Sequence, residues 1–154
     1  MSVAGFEDIN AAAELVMLGN DGLTVRVAPL PGLVLLKLFA WSDRRESKDA
    51  QDVGALLHNY EYVLPTERLY SDSALLKAAD YDMQVVGSTL MGRDLAAILS
   101  SSTLNVLNKM LESEAEREKL LTRLAAGIYW VERDKDLPAA TRLFNAFLSG
   151  LGVL

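Results

Sequence analysis

The spacing of apolar residues along this chain changes period near Ala13 and again near Pro29. Phe6, Ile9 and Ala13 recur at helical spacing, which predicts a short first helix over 5–13. Two strand-like runs follow, Leu15 to Leu18 and Leu23 to Val27, joined by Gly19-Asn20-Asp21-Gly22, a strong hairpin-turn signal. Thr24 and Arg26 alternate with Leu23, Val25 and Val27, so the second strand is expected to be wet on one face. After Pro29 every pattern is helical. From Leu33 to Trp41 all residues but Lys37 are apolar, the signature of a buried helix. Ser42 to Ser47, carrying Asp43, Arg44, Arg45 and Glu46, reads as a solvated turn or helix end. Ser47 is expected to cap a second helix whose core face is Val53, Leu56, Leu57 and Tyr60.

The remaining chain predicts a bundle. Short helices are expected over 65–70 and 73–79, then a longer one over 82–100 with Val85, Val86, Thr89 and Leu90 inward and Gly92 where a kink would fall. Ser101 to Thr103 can break or recap it. Ser113 and Glu116 form a capping-box pattern ahead of a stripe of Leu120, Leu121, Leu124 and Ile128, with Trp130 anchoring the end. Asp136 and Pro138 open the last helix, Leu143, Phe144, Phe147 and Leu148 face inward, and Gly150 and Gly152 end it. The expected class is therefore α+β and predominantly α-helical: one N-terminal β-hairpin followed by a helical bundle. Residues 1–154 are read as a single domain, with 1–64 the hairpin plus a Lys/Asp helical pair and 65–154 the bundle. A two-stranded hairpin is marginal alone in water, so either helices cover it or it is the edge of a larger sheet.

Charge narrows the partners. The formal net charge of −6 argues against broad nucleic-acid or anionic-membrane binding, although Arg44, Arg45 and Lys48 form a local cluster able to hold a phosphate. The chain has no cysteine, which removes disulfides, thiolate metal sites and thiol catalysis and is compatible with a cytoplasmic protein. Glu7 and Asp8 interrupt the N-terminus before a signal-peptide core can form. No apolar run approaches the ~18 residues of a membrane span, so no membrane partner is expected. His58, the single histidine, falls on the polar face of its helix and is expected at the surface.

Lys37 is the odd residue of its helix, because a buried ammonium is costly unless it reaches water or a carboxylate. Asp49 lies four residues before Val53 on the inward stripe, and Asp52 follows Lys48 by one turn, a local pair worth ~0.2–0.5 kcal/mol. Lys37 is expected to reach Asp49 or Asp52, as a structural ion pair or as part of a site. Gly87-Ser88 followed by Asp94 has the outline of a nucleotidyl-transfer motif. That chemistry needs two carboxylates one residue apart on a strand to hold Mg²⁺. Position 96 is Ala and the segment reads helical, while Asp80-Tyr81-Asp82 precedes the Gly-Ser pair. The residues alone assign no catalytic group and no metal ligand.

Several stretches taken together resemble the AbiEii-type nucleotidyltransferases, which include toxin enzymes of toxin–antitoxin systems. They are Val25-Arg26-Val27-Ala28-Pro29-Leu30-Pro31-Gly32, Lys37-Leu38-Phe39-Ala40-Trp41, Asp43-Arg44 and Lys48-Asp49-Ala50-Gln51-Asp52, with Leu90-Met91-Gly92-Arg93-Asp94-Leu95 further on. The resemblance covers roughly 5–99. It implies that the chain corresponds to the C-terminal portion of such an enzyme, without the Gly-Ser and paired-Asp catalytic segment. It further implies that Lys37, Arg44, Lys48, Asp49 and Asp52 flank a nucleotide, and that Mg²⁺ and an NTP are bound only when that N-terminal segment completes the site. The hairpin would then be a remnant of the family's sheet. The alternative is a non-catalytic interaction module, a homodimer joined through the hairpin edge.

Overall fold

The computed structural model of the chain describes residues 5–20, 22–128 and 136–153. Among these, helix α1 (Phe6–Ala12) leads into strands β1 (Glu14–Leu18) and β2 (Leu23–Val27), and helices α2 (Leu30–Arg44) and α3 (Ser47–Asn59) follow. A 3-10 turn (Tyr60–Val63) and two short helices, α4 (Thr66–Tyr70) and α5 (Ser73–Ala78), lead to α6 (Met83–Ile98). The chain continues with α7 (Ser101–Leu111), α8 (Glu114–Ile128) and α9 (Asp136–Leu151). The expected class is what the structure shows: among the described residues helix predominates, and one two-stranded antiparallel hairpin lies near the N-terminus. No helix of the described residues is long and apolar enough to cross a membrane. Trp130 lies outside the described residues.

The helix starts follow local chemistry. Asp72 caps α5 by accepting from the amides of Ala74 and Leu75, and Asp82 caps α6 by accepting from Gln84 and Val85. Ser100 recaps the chain into α7, its Oγ accepting from the Thr103 amide, while the Asp8 carboxylate accepts from the Ser100 amide 92 residues away in sequence. Ser113 supplies its half of the capping box to the Glu116 amide. The Glu116 side chain does not return the bond, because it turns to Arg45 and Lys119. Ser47 is the first residue of α3 and not its cap; Glu46 takes the cap position without a side-chain bond. The α2 helix begins earlier than the apolar run suggests, at Leu30 with Pro31 in its first turn, and ends at Arg45, whose φ of 60° breaks it.

Among the described residues one core runs from Ile9 to Leu151. Helix α6 is its hub, packed on α9 and α3 and also meeting α1, α2, α4, α5 and the 3-10 turn. Its Val86, Leu90, Met91 and Leu95 are buried, and so are Gly87, Ser88 and Thr89, so the helix is enclosed over most of its circumference. Two seams bring backbones unusually close. A methyl group on Gly54 or Gly127 would overlap the carbonyl of Leu124 or Gln51, which ties α3 to α8. A methyl group on Gly92 or Gly150 would overlap the carbonyl of Phe147 or Thr89, which ties α6 to α9. Gly92 therefore serves close approach inside a continuous helix and does not interrupt it. Gly150 likewise lies within α9, and the helix ends at Gly152, whose φ is 80°.

The hairpin departs most from expectation. The register pairs Glu14 with Val27, Val16 with Val25 and Leu18 with Leu23 on one face, and Leu15 with Arg26 and Met17 with Thr24 on the other. Apart from half-buried Val25, every strand residue is exposed, so both faces are open and no helix of the described residues covers the arm. Its visible tether is the Arg26 guanidinium, which donates to the Asn10 carbonyl at 2.7 Å. Phe6, at helical spacing from Ile9, is 55% exposed, whereas Ile9 is buried.

Candidate functional site

Helices α2 and α3 are joined by the tight αL residue Arg45 and pack against each other, which sets Lys37 and Arg44 of α2 against the first turns of α3. There the structure assembles four of the five residues singled out in the sequence. Asp49 is 3% exposed at its side chain, and its Oδ1 accepts from the Lys37 Nζ at 3.3 Å while its Oδ2 accepts from Arg44 at 2.7 Å. Lys37 also meets Asp52 at 2.7 Å. Asp52 therefore faces Lys37 and not Lys48, which stands exposed at the rim. Hydrogen bonding to Asp52, opposed by desolvation and helped by Asp49, raises the Lys37 ammonium above its ordinary value. The Asp49 hydrogen bond does the same for the Arg44 guanidinium.

This cluster forms one wall of a cleft of ≈ 490 Å³. The apolar wall is Phe6, Leu36, Phe39 and Ala40, and the polar side is Lys37, Asp43, Arg44 and Asp49. Across the α2–α3 corner Arg45 stacks over Trp41 with its guanidinium carbon 4.5 Å from the ring centroid, and also pairs with Glu116. The three cations of the predicted phosphate cluster thus diverge: Arg44 to the cleft, Arg45 to Trp41 and α8, Lys48 to solvent. The donor set does not suit magnesium, since both oxygens of Asp49 are bonded to cations and Asp52 faces an ammonium.

The Gly87-Ser88 pair lies in the middle of α6. Ser88 is fully buried and donates to the Leu57 carbonyl at 3.2 Å, and Gly87 sits against the backbone of Glu61. Asp94 accepts from the Tyr60 hydroxyl at 2.6 Å and pairs with Arg68, pinning the 3-10 turn and α4 to α6. Burial, reinforced by the Asp94 carboxylate, pushes the Tyr60 phenol well above its ordinary value. His58 is half-buried where a surface position was expected.

Two features had no counterpart in the sequence reading. A groove of ≈ 700 Å³ runs between α5 and α9 over α6, flanked by Arg93–Asp72 at 2.9 Å and Arg142–Asp82 at 2.6 Å. Both aspartates are also N-caps, so each arginine closes a cap already in use. The other is the arm's apolar face, where Val16, Leu18, Leu23 and Val27 are 39%, 47%, 60% and 46% exposed. Alternation was the available signal for it, but alternation does not tell a covered face from an open one.

The architecture is a helical bundle bearing a projecting two-stranded arm beside an amphipathic cleft. No family model, curated protein or solved structure matches this chain.

Proposed function

We propose that this chain is a non-catalytic, homotypic interaction module whose working part is the β1–β2 arm. The observation that carries the reading is the arm's exposed face, aliphatic at five of its six positions and held clear of the core. Contiguous exposed apolar patches mark interaction sites, and a two-stranded ribbon needs a further layer to be stable. The cation–acid cluster has a structural part in this reading: Asp49 neutralises the ends of Lys37 and Arg44 and fixes α2 against α3. Sedimentation equilibrium tests the proposal. A concentration-dependent dimer that dissociates on Leu23→Glu is the expected result, and a monomer at every concentration sinks it.

The cleft beside Lys37, Arg44 and Asp49 favours a second reading, in which the chain is the nucleotide-proximal half of an AbiEii-type nucleotidyltransferase completed by an N-terminal catalytic segment. Its support is the exposed outer edge of Arg44, whose side chain is 55% accessible and can offer a phosphate donors left over from Asp49. Magnesium and the remaining carboxylates would come from the completing segment. A thermal shift with an NTP that Arg44→Ala abolishes is the expected result. No shift at millimolar NTP with Mg²⁺ counts against it.

A further inference from the structure

We propose that two copies of this chain exchange arms, the apolar face of each β1–β2 hairpin lying in the α1–α2 cleft of the other. The inference rests on the interaction reading above and adds to it the surface that receives the arm.

The arm is one-sided. The register gathers Val16, Leu18, Leu23, Val25 and Val27 on one face, while the other mixes Leu15 and Met17 with Thr24 and Arg26. Edge-to-edge pairing of two arms would satisfy backbone groups but leave that aliphatic face in water. It would also engage one five-residue strand per copy, where specific interfaces use roughly 20–30 residues a side.

The complementary surface is on the same chain. Behind its core positions α2 carries a second apolar line, Leu33, Leu36 and Ala40. Leu33 is 36% exposed and Phe6 beside the cleft 55%, although each is large and apolar. The structure keeps the two surfaces apart within one copy, since the arm's face stays open while Arg26 holds its base to α1. Between two copies they meet twice under a two-fold axis, which closes the assembly as a dimer. The six residues of the arm's apolar face and the eight that line the cleft make fourteen a side, a small interface against the ~20 residues of a standard one. Charge agrees with this placement: Glu14 is the anion on the arm's apolar face, and Arg44 is the exposed cation at the cleft. The cleft lining itself is balanced, Lys37 and Arg44 against Asp43 and Asp49, so a second copy of a chain of net charge −6 meets no net acidic wall there.

The cysteine-free chain makes the test direct. One full-length preparation carries Leu23→Cys, another Ala40→Cys, and the two are mixed with a short bismaleimide. Arm exchange predicts a predominant product joining the two different chains. If instead the Leu23→Cys chains link mainly to one another, the arms pair with arms: the cleft assignment falls and the interaction reading survives. A sedimentation monomer with no product overturns both. In a second measurement Leu23→Glu and Ala40→Glu each raise the dimer dissociation constant about 30-fold or more, with unchanged far-UV circular dichroism. Loss of the dimer with Leu23→Glu but not with Ala40→Glu also removes the cleft from the interface.

Discussion

The seam between α6 and α9 and the β1–β2 arm are both built largely from aliphatic and aromatic side chains, yet they lie at opposite ends of the burial scale. In the seam Met91, Leu95, Phe144 and Phe147 are at most 1% exposed, and the helix backbones touch through Gly92 and Gly150. In the arm Leu15, Met17 and Leu23 are 60% or more exposed. Burying apolar surface yields roughly 25 cal/mol per Å², so the seam holds the protomer together while the arm adds little to it. What the arm retains is apolar surface available for association. The difference lies in what faces each element, since the side-chain chemistry is similar.

Wedging the seams apart should have the largest effect. Gly92→Leu or Gly127→Leu should destabilise the chain by about 3 kcal/mol or more in urea unfolding, because a side chain there has carbonyl oxygen in its path. Even Gly92→Ala should cost about 1–3 kcal/mol, although alanine is by ~1 kcal/mol the better helix former. An unchanged urea midpoint would mean the helices slide apart freely. The α2–α3 corner should respond next. Asp49→Ala leaves Arg44 without its carboxylate and Lys37 with Asp52 alone. Buried ion pairs lose ~3–5 kcal/mol on such truncation, but both cations are substantially solvated, so about 1–2 kcal/mol is expected. A double-mutant cycle with Lys37→Met measures the coupling, and a coupling near zero removes the structural role given to the pair.

Acid should act more gently. Hydrogen bonds from Thr103 and Ser100 lower the Asp8 carboxyl, and the Leu75 amide with the Arg93 side chain lowers that of Asp72, each from 3.8. Lys119 and Arg45 lower Glu116 from 4.5. The unfolded chain therefore binds more protons over this range, and stability present above about pH 4.5 is lost as the pH falls through the folded values. At the other end Lys37 and Tyr60 are raised from 10.5 and 10.0, so their contribution is complete below about pH 10 and fades as the pH rises beyond it. A plateau of the urea midpoint across neutral pH, falling on both flanks, is the expected profile; a midpoint that rises on acidification contradicts these assignments. The smallest effect belongs to the arm. Leu23→Ser, measured at high dilution, should move protomer stability by no more than ~0.5 kcal/mol. A larger loss would show that the arm belongs to the core after all.

Much of the fold was legible in the chain because local rules were sufficient for it. The hairpin lies where Gly19-Asn20-Asp21-Gly22 placed its turn, although Asp21 itself is outside the described residues. Of the expected stripes, Leu120, Leu124 and Ile128 are buried with Leu121 half-buried, and Leu143, Phe144, Phe147 and Leu148 are buried as their period required. Lys37 meets both Asp49 and Asp52, the carboxylates expected for it, while its side chain stays partly in water. The hub was not legible. The stretch around Lys37 draws the eye because its charges are conspicuous, whereas α6 is enclosed on most sides and presents no strong amphipathic contrast to read.

By itself the sequence determined the class, the positions of the helices and strands, and the partnership of Lys37 with the acids of α3, because propensity, period and the cost of burying charge act over a few residues. Long-range packing alone makes Gly92 and Gly150 bring helices into contact, sends Arg44, Arg45 and Lys48 apart, and leaves the arm's aliphatic face open. Each of these depends on which distant segment lies opposite. A residue's own neighbours along the chain carry no record of that.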